Sequence, residues 1–154
     1  EKAEYTNTGW QMNLDQHYKL SDFPQEERLA IFAKYKNRLE EITGIQTQVF
    51  RAGGWCIQPF ADFKALFEEF EMKIDSSVMP GVMWVSPQYN IDFLSVKTSE
   101  PYTFSHDVCK LEESGEYTEY PIACRKYSPL FFWKLYVLGR LFPEQHKITF
   151  KPYL

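Results

Sequence analysis

Arg51 and Asp75 are the two side chains best placed to do chemistry. Each follows a short β-rich run, Thr47-Gln48-Val49-Phe50 in one case and Met72-Lys73-Ile74 in the other. A guanidinium is always charged, and its planar fork meets a carboxylate through two parallel hydrogen bonds. Arg51 therefore serves either as a site residue that holds a carboxylate or as a loop anchor paired with Asp75 or Glu69. Asp75 either holds Arg51 or caps nearby amides together with Ser76 and Ser77, a local habit of all three residue types. Gly53 and Gly54 follow Arg51 directly and allow positive φ and close approach of the backbone to a ligand; they equally suit a tight strand-to-helix turn. Trp55 suits stacking on a sugar ring or packing under the helix that follows.

The elements that position these residues form a βαβ unit. Between the two runs lies Pro59-Phe60-Ala61-Asp62-Phe63-Lys64-Ala65-Leu66-Phe67-Glu68-Glu69-Phe70. Its phenylalanines recur at helical spacing, and Pro59 suits the first helical position. A helix joining two strands over so short a distance implies parallel pairing. Arg51 and Asp75 then lie at the carboxyl ends of parallel strands, the edge where α/β proteins place their sites. Upstream, Ser21-Asp22-Phe23-Pro24 opens a helix whose free amides Ser or Asp can cap, and Gly44 ends it in a left-handed conformation. That helix is the crossover into a strand at 45–49.

The same residues carry a resemblance. Phe50-Arg51-Ala52-Gly53-Gly54-Trp55 and Asp75-Ser76-Ser77-Val78-Met79-Pro80-Gly81, followed by Ile91-Asp92-Phe93, Pro101-Tyr102 and Glu119-Tyr120-Pro121, resemble the middle of polysaccharide deacetylase-like proteins related to carbohydrate esterase family four. The likeness covers roughly residues 28 to 122. It implies a partial (β/α) barrel with parallel strands and crossover helices. It also implies metal-dependent hydrolysis of N-acetyl groups on a cell-surface sugar or polysaccharide. Arg51 would orient a catalytic aspartate, Asp75 would hold Arg51 or face the metal region, and Pro101 and Tyr102 would lie near the substrate groove. The divalent metal, zinc foremost, is implied to sit on an Asp-Asp and a His-x-His-like motif preceding Glu1, with a late His motif beyond Leu154. Of these parts the chain shows the arginine alone. The expectation is a fragment that is not competent by itself and that needs no cofactor of its own.

Nothing else offers a metal site. His17, His106 and His146 lie at no ligand spacing from one another, and the Asp15–His17 pair reads as a solvated loop. Cys56, Cys109 and Cys124 are odd in number and far apart, which fits three buried, reduced thiols in a cytoplasmic protein rather than a disulfide framework. No nucleophile elbow, phosphate loop or dinucleotide fingerprint is present.

The 154 residues are enough for one domain, taken as 1–154. A net charge of −4 argues against a nucleic-acid partner. The aromatic share is 18%, which builds either a ring-rich core or sugar platforms. Residues 1–20 read as a surface loop with a short extended piece around Trp10 and Met12. Residues 117–124 read as an edge or bulged strand because of Pro121, and Ile148-Thr149-Phe150 as a last short strand. Ser128-Pro129 opens an apolar helix over 130–142, too short to span a bilayer. It offers a face for a partner segment, and membrane contact is not expected. Two other readings remain beside the deacetylase: a non-catalytic glycan-binding relative, and an α/β interaction domain that docks a partner through 130–142.

Overall fold

The computed structural model describes residues 3–7, 9–12, 18–86, 90–124 and 127–142. They fall into two compact units, Glu1–Cys124 and Arg125–Leu154. The first unit opens with an antiparallel hairpin, β1 (Ala3–Thr6) and β2 (Gly9–Met12), where the sequence suggested a loop with one extended piece. Helix α1 (Gln25–Thr43), strand β3 (Val49–Phe50), helix α2 (Ala61–Glu69) and strand β4 (Ile74–Asp75) follow. A second hairpin, β5 (Met83–Val85) and β6 (Asn90–Asp92), precedes β7 (Tyr102–Phe104) and β8 (Tyr117–Glu119). The second unit contains α3 (Pro129–Leu141). The candidate strand at 148–150 lies outside the described residues, as do His17 and His146.

The central sheet has the order β3-β4-β8-β7. β3, β4 and β8 run parallel, and β7 pairs antiparallel to β8. The protein is thus mixed α/β with a largely parallel sheet, and the β3-α2-β4 crossover expected from the sequence is present. β8 is flanked on both sides, so Pro121 marks where the strand stops rather than an edge.

The helix boundaries depart from expectation in two places. α1 has Pro24 at its N-cap and no side-chain cap. Asp22 instead accepts from Lys19 N at 2.9 Å, closing the short turn at 20–22. Pro59 precedes α2 rather than opening it, across a cis peptide from Gln58, and Phe60 is the N-cap. Gly44 behaves as expected: its φ of 67° ends α1, and its N–H reaches Glu40 O at 2.8 Å.

Side-chain alternation along each strand sorts the sheet into two faces. Phe50, Asp75, Glu119 and Tyr102 stand in register across all four strands and share one face. That face packs on the helices. Phe50 lies 5.7 Å from both Phe32 of α1 and Phe67 of α2, and Tyr117 lies 5.2 Å from Phe67. Phe60, Phe63, Leu66 and Phe67 are buried there with Phe104, so these rings build core. The opposite face starts from Val49, which is 53% exposed.

Candidate functional site

Two groups of polar side chains gather at the carboxyl ends of β3, β4 and β8, one on each face. The pairing continues one residue past the strands: Ser76 N donates to Phe50 O at 2.9 Å and Tyr120 N to Asp75 O at 2.8 Å. Alternation therefore holds for one more step. Arg51, Ser76 and Tyr120 fall on the face away from α1 and α2, and Asp75 and Glu119 on the face toward them.

The inner group is a buried carboxyl pair. Asp75, Ser77 and Glu119 are all fully buried. Ser77 Oγ donates to Asp75 Oδ1 at 2.7 Å, and Ser77 N donates to Asp75 Oδ2 at 3.1 Å. Ser77 Oγ also accepts from Ala52 N at 2.8 Å, which ties the exit of β3 to the exit of β4. Glu119 Oε1 accepts from Val78 N at 3.1 Å, while Oε2 meets no donor among the described residues. Two ionised carboxylates cannot share such a place. One proton between them resolves it, because protonated Glu119 becomes a donor to Asp75 and Oε2 is no longer orphaned. Burial, then the hydrogen bond to Asp75, pushes the Glu119 carboxyl up to about 9. Burial also raises Asp75, opposed by its bonds to Glu119 and Ser77.

The outer group centres on Arg51. Its Nε donates to Ser76 O at 2.8 Å and its Nη2 to Ser76 Oγ at 2.8 Å. Ser76 Oγ in turn donates to Tyr120 O at 2.9 Å. Ser76 thus takes two of the five N–H donors of a guanidinium, and the rest belong to an exposed side chain. The expected pairing of Arg51 with Asp75 or Glu69 is not what forms. Arg51 and Asp75 do leave neighbouring parallel strands at the same edge, but one residue out of phase and hence on opposite faces.

The other candidates are scattered. Gly54 adopts a φ of 60°, and so does Trp55, so the left-handed turn includes a non-glycine residue. Gly53 is exposed, with open space where a Cβ would stand. Trp55 is 37% exposed, half-open to solvent rather than packed under α2. Pro101 is exposed, but Tyr102 is only 8% exposed and its hydroxyl donates to Val108 O. Burial, then the charge of Glu119, raises the Tyr102 phenol well above its ordinary range. Tyr102 is a core residue here, not a groove lining. His106 lines a polar cleft of about 550 Å³ beside the start of α2, with Lys19, Gln58 and Asp92. Its Nδ1 lies 3.4 Å from Lys64 Nζ. All three cysteines are free, yet Cys56 alone is buried; Cys109 is partly covered and Cys124 is exposed.

A divalent metal does not fit the described residues. No group of three or more His, Cys, Asp or Glu among them could hold one. The Asp75–Glu119 pair is enclosed and already bonded to Ser77 and to Val78 N. Among the described residues, no helix is long and apolar enough to cross a membrane. Compared with family models, with curated proteins and with solved structures, the chain finds no match.

Reasoning from sequence missed Glu119 and Ser77 as a unit. The signal was present: Glu119 ends a β-rich run as Asp75 does, and Ser at the second position after Asp is the spacing of a local side-chain turn.

Proposed function

We propose that the chain is part of a polysaccharide deacetylase-like protein. In this reading the sheet is a segment of a (β/α) barrel, its face opposite α1 and α2 is the barrel interior, and Arg51 points into the active-site mouth. The observation that carries the reading is the position of Arg51. It stands at the carboxyl end of β3, on the face opposite α1 and α2, oriented by Ser76 through two hydrogen bonds of 2.8 Å. Helices outside and polar groups inside at the strand ends is the arrangement of a (β/α) barrel site. The reaction would be hydrolysis of an N-acetyl group on a cell-surface sugar or polysaccharide. A bound divalent metal would activate water when present, held by residues other than those described. Arg51 would hold a carboxylate at the site in a fixed orientation through its remaining N–H groups.

The experiment is acetate release from N-acetylated oligosaccharides by the full-length gene product supplied with zinc. Arg51→Ala should lower kcat by roughly a hundredfold, the scale of a lost group that orients an acid or base. Arg51→Lys keeps the charge without the fork and should recover only part. Full activity in Arg51→Ala would remove the basis of the reading.

A second reading has its own observation. On α3, Leu130 is 77% exposed and Trp133 is 65% exposed, with Leu141 similarly open. An apolar helix so exposed suits an interaction domain that docks a partner segment over 130–142. Capture of one defined partner that is lost on Trp133→Ser would favour it.

A further inference from the structure

Tyr120 is the aromatic that the outer group holds in place, and nothing in the reading above uses its ring. Its backbone is fixed on both sides: N–H to Asp75 O at 2.8 Å, and O from Ser76 Oγ at 2.9 Å. Its side chain is nonetheless 48% exposed. Alternation puts it on the face opposite α1 and α2, in the same row as Ser76 and Arg51. We propose that Tyr120 is a stacking platform for a pyranose ring, and that the Arg51–Ser76–Tyr120 row binds one N-acetylated sugar unit of a glycan. The inference rests on the carbohydrate reading and names the residues that would touch the sugar.

The physical case is one of preorganisation. An aromatic ring left in water on an immobile backbone has few rotations to lose on binding, and it presents a flat apolar face to the C–H face of a sugar. Beside it, an N–H of Arg51 taken neither by Ser76 nor by the carboxylate it orients suits a sugar hydroxyl or the acetamido carbonyl. Ser76 serves both, since its hydroxyl accepts from the arginine and donates to the tyrosine carbonyl. Trp55 and Tyr102 do not offer the same platform. Tyr102 is enclosed in the core, and Trp55 sits on the turn after Arg51 rather than in this row.

Calorimetric titration of the full chain with the tetramer of N-acetylglucosamine tests the proposal. Tyr120→Ala should weaken binding about tenfold, the worth of one aromatic contact. Tyr120→Phe should stay within about threefold of the parent, because the ring does the work. Tyr120→Leu keeps the bulk without the ring and should behave like Ala, which guards against a folding artefact. Binding by the parent that is indifferent to Tyr120→Ala overturns this inference and leaves the carbohydrate reading standing. Equal loss in Phe and Ala overturns the stacking. No binding by the parent overturns the glycan site and this inference with it.

Discussion

Replacing Glu119 by glutamine should change how stability depends on pH more than it changes stability itself. Glu119 and Asp75 are fully buried side by side, and the Glu119 carboxyl is raised from 4.5 to about 9. The sign follows from proton counting. Between those two values the folded protein holds a proton that the unfolded chain has released. Stability from this group is therefore complete below about pH 4.5 and is lost as the pH rises through the folded value. Where the two states differ by a whole proton, the slope is about 1.4 kcal/mol per pH unit, so from pH 5 to 8 the ceiling is about 4 kcal/mol. That is a large part of the roughly 5–15 kcal/mol that holds a domain together. The carboxamide of the Glu119→Gln variant would carry an N–H donor toward Asp75 with nothing to ionise. Urea titrations followed by tryptophan fluorescence at pH 5, 6.5 and 8 would give the difference between parent and Glu119→Gln. That difference should move in favour of the variant by several kcal/mol as the pH rises. The slope left in the variant reports Asp75, whose carboxyl burial also raises. A difference that stays constant over the window would refute the shared proton.

Arg28→Met should cost about 1–3 kcal/mol in the same titrations, through carbonyls left without donors. The Arg28 guanidinium is buried, donating to Asp62 O of α2 and to Phe23 O at 3.1 Å, and it joins α1 to α2 over the Phe63 ring. An unchanged midpoint would show the joint to be dispensable. Gly115→Ala should cost about 2–3 kcal/mol, since an added Cβ would stand 2.3 Å from Phe104 N and 2.6 Å from its C and O. Backbone in a paired strand cannot yield as a side chain can, so amide exchange at 102–104 should also speed up. A neutral result would mean that the 112–116 turn relaxes freely.

Much of the β3-α2-β4 unit was legible because its signals were local and agreed. Phe60, Phe63, Phe67 and Phe70 share the period of one helix, and a short crossover leaves parallel pairing as the natural outcome. Gly44 announced the end of α1 for a reason internal to that residue. What could not be read depended on distant partners. β8 reaches β4 only after a stretch of more than 40 residues that carries its own hairpin, so the meeting of Glu119 with Asp75 has no local mark. Nothing in the sequence around Arg28 marks it for burial. Its burial depends on where α2 comes to rest.

The separation of Arg51 from Asp75 follows from a single residue of phase. Phe50 and Asp75 are the paired positions, so Arg51 is matched with Ser76, and alternation sends the two charged groups to opposite faces. The same phase gives each face a distinct task. Inside, a carboxyl pair with one proton binds the N–H groups of Ser77 and Val78, and through Ser77 that of Ala52, so the three strand exits are clamped where loops would otherwise drift. Outside, Ser76 turns that rigidity into a fixed direction for Arg51 and a fixed seat for Tyr120. Ionising the pair should therefore loosen the outer row. Sugar binding should weaken above about pH 9 in the parent and persist there in Glu119→Gln, and a parallel decline in both proteins would separate the two faces.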